Sequence, residues 1–153
     1  MEGIRNRLQR GFTLVEIMVA VVIIGLLLSL AVPAVMKVFG KSKVNRIVND
    51  IRVVSDAFQF YALDNGIYPP DGDVGVIPDG MTGYLREFPW DLTTAIGGKW
   101  DWENSGSNEQ GIVISSPDVS TEMLKKIDGA VDDGNLTTGE FTVVNSNCCY
   151  MLD

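Results

Sequence analysis

An uncharged run of 20 residues, Ile17–Met36, is the feature that most limits how this chain can fold. As a helix it spans about 30 Å, at 1.5 Å per residue, which is the thickness of the hydrocarbon core of a bilayer. The rest of the 153-residue chain has the composition of an ordinary polar domain. We therefore expect a membrane-anchored chain with one folded domain rather than a purely cytosolic soluble protein.

The residues after this run predict that the helix continues beyond the membrane. Between Val44 and Ala62, apolar side chains recur at steps of three and four, which places them on one face of a helix. No Gly or Pro interrupts Lys41–Asn65, and Asn65-Gly66 is a stop signal. We expect one helix from Phe12 to about Asp64, roughly 80 Å long. Residues 12–36 would be apolar on all sides and residues 37–64 amphipathic.

Residues 65–153, which we call the head, are rich in the turn-forming residues Gly, Pro, Asp and Asn. Turns separate three predicted strands, Lys99–Glu103, Gly111–Ser115 and Glu140–Val144. A sheet this small needs a cover for its apolar face, and the amphipathic helix is the obvious one. The predicted fold class is therefore α+β, with a long N-terminal helix packed on a small antiparallel sheet.

Two further local predictions concern the head. The alternation in Lys99–Glu103 puts Trp100 and Trp102 on one face. We interpret Trp90, Trp100 and Trp102 as packing residues rather than as a ligand platform. A short helix is predicted from Asp118 to Ile127, with Gly129 just beyond its end.

The composition argues against an enzyme. The chain contains no histidine, so it has no imidazole to activate a nucleophile or to bind zinc or haem. Its two cysteines, Cys148 and Cys149, are adjacent and cannot form a C-x-x-C motif. A hydrolase is a distant alternative, because no nucleophile is accompanied by an evident base.

Charge is segregated along the chain. Residues 1–52 contain eight basic and three acidic side chains, a net charge of +5, whereas residues 53–153 contain four basic and 17 acidic ones, a net charge of −13. The acidic part would repel nucleic-acid phosphates, so we expect no nucleic-acid partner. The basic residues flank the apolar run, where anionic lipid headgroups would lie.

The start of the apolar region contains an unusual carboxylate, Glu16, four residues after Phe12. A charge at the centre of a membrane helix costs about 2.5–3.5 kcal/mol, and less near the interface. No side chain in residues 12–36 supplies a positive partner. A free α-amino group at Phe12, created by cleavage after Gly11, would supply one.

This segment, Arg10-Gly11-Phe12-Thr13-Leu14-Val15-Glu16 followed by a long apolar helix, resembles the type IV prepilin signature of type IV pilins and type II secretion pseudopilins. The resemblance implies a pilin-like fold, removal of residues 1–11 as a basic leader, and N-methylation of Phe12. It also implies that Glu16 pairs with the N-terminal amine of a neighbouring subunit during assembly. Gly25 and Pro33 match the weak point that the helix has in this family.

The resemblance implies a structural subunit of a pilus or pseudopilus filament, and no catalytic activity. The expected partners are copies of the chain and other pilin-like subunits, a prepilin peptidase and methyltransferase, an inner-membrane assembly platform and lipid. The expected location is the bacterial inner membrane, with the head outside the cytoplasm, followed by a periplasmic or cell-surface filament. The short acidic head, the carboxylate-rich loop near the C-terminus and the absence of separated cysteines favour a type II secretion pseudopilin over a surface pilin.

No cofactor is expected, with calcium as the one candidate. Asp128, Asp132, Asp133 and Asn135 resemble the carboxylate-rich calcium loop of pseudopilins, although their spacing does not match an EF-hand. A solvated turn is the other interpretation.

Three alternatives remain for the chain as a whole. Residues 10–36 could be a plain anchor, or a secretory signal cut after Ser29-Leu30-Ala31. The main alternative function is a membrane-anchored binding domain that never polymerises. The mature N-terminus would distinguish it from a filament subunit.

Overall fold

The computed structural model describes residues 11–105 and 110–152, so the predicted leader lies outside the described residues except for Gly11. The chain divides into two compact units, with the boundary between Phe39 and Gly40. In chain order the elements are α1 (Leu14–Asn65), a 3₁₀ turn (Met81–Gly83), β1 (Lys99–Asn104), β2 (Gln110–Ser115), α2 (Thr121–Val131), β3 (Phe141–Val144) and β4 (Asn147–Leu152).

In the first unit, α1 exposes every side chain. Residues 11–39 are all exposed, including the whole apolar run Ile17–Met36. By length and composition, α1 is able to cross a membrane. Among residues 11–105 and 110–152, therefore, no other element covers the apolar surface of this part of the helix.

In the second unit, α1 buries one face, as its periodicity predicts. Ile47, Ile51, Val54 and Phe58 recur at steps of four, three and four, and each is at most 3% exposed. Steps of this kind keep the side chains on one side of a helix. This face belongs to the same hydrophobic core as the tryptophans of the sheet.

The sheet is antiparallel and has the strand order β1-β2-β4-β3. The three predicted strands correspond to β1, β2 and β3 with ends shifted by one residue at most. Strand β4 was not predicted, because adjacent cysteines in Asn147–Leu152 do not read as a typical strand. Two residues with positive φ, Asn145 (49°) and Ser146 (66°), form the tight turn that returns β3 into β4.

The tryptophans are packing residues, as predicted. Trp90, Trp100 and Trp102 are at most 2% exposed. Phe58 of α1 stacks on Trp102 with ring centroids 4.0 Å apart, and Trp90 stacks on Trp100 at 6.1 Å. No face of these rings is left open to receive a ligand.

Helix α2 differs from its prediction at both ends. It begins at Thr121 instead of Asp118, because the backbone N–H of Asp118 donates to the carbonyl of Ile96 (2.8 Å) and holds that residue outside the helix. It also continues through Gly129 to Val131, so the prediction that Gly129 follows the end is wrong. A helical Gly costs about 1 kcal/mol relative to Ala, and packing of Val131 against the core offsets this cost.

The long segment between α1 and β1 covers an edge of the sheet. The N–H groups of Gly72 and Gly75 donate to the carbonyls of Trp102 and Trp100, at 3.3 and 2.7 Å. These bonds occupy backbone groups of β1 that would otherwise be unpaired at an open edge. The same segment supplies four buried core residues, namely Met81, Leu85, Trp90 and Ile96.

Candidate functional site

The predicted cleavage point lies immediately before α1. Gly11, Phe12 and Thr13 have no helical structure, and the Phe12 side chain is 80% exposed. The Gly11–Phe12 peptide bond is therefore outside the helix. A protease needs access to the backbone of its substrate, which helical hydrogen bonding would hinder.

Thr13 and Glu16 fix the start of the helix by reciprocal hydrogen bonds. The hydroxyl oxygen of Thr13 accepts from the backbone N–H of Glu16 (3.2 Å), and the Glu16 carboxylate oxygen Oε2 accepts from the N–H of Thr13 (3.5 Å). This is a capping box, which satisfies two of the N–H groups that every helix start leaves without partners. It explains why α1 begins at Leu14 rather than at the predicted Phe12.

Glu16 therefore has a structural role that we did not anticipate. From the sequence alone we considered only its need for a positive partner. The T-x-x-E spacing of Thr13 and Glu16 before an apolar run is a capping signal and would have revealed this role. Thr13 is the residue that sequence reasoning missed at this site.

The predicted weak point of α1 is helical in this structure, and its hydrogen bonds are weakened. Pro33 has no N–H to donate to the carbonyl of Ser29, one turn earlier. The Ser29 hydroxyl donates to the carbonyl of Leu26 (2.7 Å), a bond that competes with the helix ladder. A Cβ added at Gly25 would meet nothing within 4 Å, so close packing within the chain does not require a glycine there.

Three of the four predicted calcium ligands come together where α2 ends. Carboxylate oxygens of Asp128, Asp132 and Asp133 all lie within 4.8 Å of one another. The fourth candidate, Asn135, uses its side-chain oxygen to accept from the Thr137 hydroxyl at 2.9 Å. The structure therefore brings the three aspartates into one acidic cluster and gives Asn135 a role in shaping the adjacent loop.

Asp128 is the unusual member of the acidic cluster. It is 0% exposed, and neither carboxylate oxygen accepts a hydrogen bond from any described residue. Burial raises the pKa of Asp128 above its ordinary value; the Gly134 N–H, which lies nearby without meeting hydrogen-bond geometry, opposes this rise, and Asp133 and Asp132 add to it. A buried carboxylate without a partner is costly, so this position favours either a proton or a cation.

The loop after α2 holds the other two aspartates in place. Asp132 accepts from the N–H of Glu140 (2.5 Å), and Asp133 accepts from the N–H of Asn135 (2.7 Å) and the Thr138 hydroxyl (2.9 Å). Gly139 has a φ of 84°, and a Cβ there would collide with the Asp132 carboxylate. Gly139 thus leaves the space that the Asp132 carboxylate occupies, and a residue with a Cβ at this position would displace that carboxylate.

The chemistry of the acidic cluster fits calcium. Ca²⁺ binds carboxylate and carbonyl oxygens at 2.3–2.6 Å, with flexible geometry, and three carboxylates within one small volume repel one another unless a cation or protons neutralise them. A simple solvated turn would need neither the unpartnered oxygens of Asp128 nor the space that Gly139 leaves for Asp132.

Comparison with known proteins gives a consistent set of similarities. Residues 6–32 match the family described as the prokaryotic N-terminal methylation motif. The chain is 36% identical over 124 residues to the type II secretion system core protein G of Klebsiella michiganensis, covering 73% of this chain and 85% of that protein. It is 38% identical over 99 residues to the protein of the same name from Pseudomonas aeruginosa, covering 57% of this chain and 70% of that protein.

Among solved structures, the chain is similar to the major type IV pilin of Clostridium difficile. The TM-score is 0.53 with 22% sequence identity, covering 74% of this chain and 85% of the pilin. At this identity the likeness concerns the fold, a long N-terminal helix packed on a small antiparallel sheet.

Proposed function

This chain belongs to the type II secretion core protein G family of pseudopilins and is a filament subunit with an N-terminal methylation motif, and we propose specific roles for its residues. Cleavage between Gly11 and Phe12 creates a new N-terminus, which is then methylated. Glu16 pairs with the amine of Phe12 on a neighbouring copy. Residues 17–36 first anchor the subunit in the membrane and then form the core of the filament.

The observation that carries this proposal is the complete exposure of residues 11–39. An apolar helix that the described part of its own chain leaves uncovered must be surrounded by lipid or by other helices. Only a carboxylate that finds a counter-ion is well tolerated there. The amine that cleavage creates is that counter-ion, and neighbouring copies provide it at a similar depth.

The remaining assignments follow from the family and the anchor. The chain is an envelope-associated, membrane-anchored subunit. We propose that it lies in the bacterial inner membrane with the head outside the cytoplasm, and later in a periplasmic pseudopilus. Its proposed partners are copies of itself, other pilin-like subunits, a prepilin peptidase and methyltransferase, and an inner-membrane assembly platform. We propose no catalytic role and no nucleic-acid partner.

Glu16→Gln tests the assembly role more sharply than truncation to alanine. Gln keeps the capping box with Thr13 but removes the charge, so membrane insertion and cleavage should be unchanged. We expect filament yield to fall by about tenfold or more, since the loss of a desolvated charge pair exceeds one factor of ten in affinity. Filament yield is measured in sheared fractions of cells expressing the full chain.

Thr13→Ala is the matched control, because it removes the hydroxyl that accepts from the Glu16 N–H and keeps the carboxylate. It should assemble better than Glu16→Gln. Mass spectrometry of the mature N-terminus tests the cleavage step separately, and methyl-Phe12 is the expected species. Filaments from Glu16→Gln at the normal rate would show that the charge pair is not required.

We also propose that the acidic cluster binds calcium through Asp128, Asp132 and Asp133, which would stabilise the loop after α2. Calcium should raise the melting temperature of the folded chain, and chelation should reverse the effect. The shift should vanish in an Asp132→Ala/Asp133→Ala double variant. Asp91→Ala, which removes an exposed carboxylate elsewhere, should retain the shift. The unmodified chain melting at the same temperature with and without calcium would contradict the proposal.

A further inference from the structure

The loop between α2 and β3 carries a motif that the proposed function does not use. Of the nine asparagines in the chain, Asn135 is the one that is followed two residues later by Ser or Thr, in Asn135-Leu136-Thr137. Asn-x-Ser/Thr, with x other than Pro, is the acceptor sequence for N-linked glycosylation. Asp133 stands two residues before the asparagine, where bacterial oligosaccharyltransferases also require an acid. The five residues from Asp133 to Thr137 therefore form a complete bacterial acceptor sequence.

The position of this motif in the fold suits modification. Asn135 and Thr137 are both exposed, and both lie outside helix and strand. Leu136 between them is half-buried and packs against the hydrophobic core, and its carbonyl accepts from the backbone N–H of Val143 on β3 (2.8 Å). The loop is thus anchored through Leu136 and presents the two flanking side chains to solvent.

The two side chains that define the motif are in contact with each other. The hydroxyl of Thr137 donates to the side-chain oxygen Oδ1 of Asn135 at 2.9 Å, and the backbone N–H of Thr137 donates to the same oxygen at 3.4 Å. The amide nitrogen Nδ2 of Asn135 forms no hydrogen bond with residues 11–105 or 110–152. The atom that would receive a glycan is therefore not engaged within the described chain.

We propose that Asn135 is glycosylated on Nδ2 by a membrane-bound oligosaccharyltransferase. The inference rests on the proposed location of the head outside the cytoplasm, because N-glycosylated loops occur in exported proteins. The donor is an oligosaccharide linked through a diphosphate to a polyprenyl lipid. Nδ2 forms a bond to the anomeric carbon of the oligosaccharide, and the bond from this carbon to the diphosphate oxygen breaks. The lipid diphosphate leaves with the bonding electrons, and one amide proton passes to solvent.

A role in shaping the loop is the competing explanation for Asn135 and Thr137. Thr138 offers a comparison, because its hydroxyl also bonds to a side chain of the same loop, the carboxylate of Asp133, at 2.9 Å. Thr138 lies outside the acceptor sequence. If the two threonines only shape the loop, they are equivalent; if the loop is an acceptor, only Thr137 is required for the modification.

The modification is compatible with the proposed calcium site. The three aspartates of the acidic cluster do not include Asn135. A glycan on Nδ2 would replace a hydrogen atom that forms no bond within the described chain, so the hydrogen bonds on Oδ1 remain possible. Calcium binding and glycosylation are therefore independent properties of the same loop.

Mass spectrometry of the full chain, purified from the membranes of its native host, tests the modification. The mature chain should be heavier than methylated residues 12–153 by the mass of an oligosaccharide, and peptide fragmentation should place the added mass on Asn135. Asn135→Gln and Thr137→Ala should lose the added mass completely. Thr137→Ser should keep it, because serine also satisfies the acceptor sequence.

Two control variants separate the acceptor role from a structural one. Thr138→Ala removes a neighbouring hydroxyl outside the acceptor sequence and should keep the added mass. Asn145→Gln removes an exposed asparagine that lacks the motif and should keep it as well. Fragmentation of the unsubstituted chain needs no variant, so the assignment to Asn135 stands even where a variant fails to fold.

An unmodified Asn135 in the chain from its native host would refute the proposal. Added mass that persists in Asn135→Gln, or that Thr138→Ala removes as completely as Thr137→Ala does, would refute it too. These results leave the proposed filament function intact, since that function is measured separately by the filament yield of Glu16→Gln.

Discussion

At the scale of single residues, Glu16 combines two roles that use different parts of one side chain. Its oxygen Oε2 accepts the N–H of Thr13 and fixes where α1 begins. A carboxylate has a second oxygen and a full negative charge, both of which remain available to an amine. The cap thus holds the charge at a defined position at the start of the apolar helix. Positioning a charge in advance lowers the entropy lost when its partner arrives.

Asp101 gives a prediction for pH. It lies within β1, is 5% exposed, and accepts bonds from the N–H of Trp102 and the Ser115 hydroxyl. Burial raises the pKa of Asp101; the Trp102 bond opposes this rise, and Asp71 adds to it. The folded state therefore holds its proton more tightly than the unfolded state does, so this group favours folding at low pH. Its contribution is lost as the pH rises through the raised pKa.

Melting temperatures between about pH 4 and pH 7 check this effect, since an unfolded Asp titrates near pH 4. Asp101→Asn keeps the shape and the bond from Trp102 but cannot ionise. The stability of the unmodified chain relative to this variant should fall as the pH rises. A difference that stays constant, or that grows with pH, would contradict the assigned direction.

At the scale of elements, the loop between α2 and β3 depends on one backbone conformation. Gly139 has a φ of 84°, which residues with a Cβ rarely adopt, and its missing Cβ leaves space for the Asp132 carboxylate. Gly139→Ala should lower the free energy of unfolding by about 1–3 kcal/mol. It should also weaken any calcium-dependent stabilisation, because Asp132 must move away.

Gly83→Ala is the control for this loop, because a Cβ at Gly83 would meet nothing within 4 Å. Chemical denaturation of both variants, with and without calcium, measures the two effects. Equal stability of the two variants would show that the conformation of Gly139 does not constrain the loop.

The elements also show which features the sequence could predict. Periodicity predicted the buried face of α1 and the buried face of β1, because the stripe from Val44 to Ala62 and the alternation around Trp100 depend on local spacing. The capping box had a local signal that was overlooked, the T-x-x-E spacing of Thr13 and Glu16. By contrast, Met81, Leu85 and Ile96 are buried although they lie in an irregular segment, whose path is set by backbone hydrogen bonds to β1. Such bonds leave no periodic pattern in the sequence, so this burial could not be predicted from it.

At the scale of the whole molecule, the two units differ in how much of their apolar surface they bury. The hydrophobic core is formed entirely by residues from Val44 onward, while residues 11–39 bury nothing within the chain. Lipid or neighbouring subunits must therefore cover the apolar surface of the first unit. The second unit forms its own hydrophobic core. A subunit built this way can leave the membrane for a filament without repacking its core.

This division predicts that a fragment starting at Gly40 folds on its own. It keeps all of the buried residues of the core, and the boundary between the units lies at this point. The fragment should be soluble, because it lacks the apolar run, and it should unfold in one cooperative transition. Its melting temperature should match that of the full chain in detergent, followed by the near-ultraviolet circular dichroism of the buried tryptophans. A fragment starting at Asn49 would lose Val44, Ile47 and Val48 from the core and should melt at a lower temperature. If the Gly40 fragment showed no cooperative transition, the fold of the second unit would depend on residues before Gly40, contrary to this division. Equal melting temperatures of the two fragments would instead show that Val44, Ile47 and Val48 do not stabilise the core.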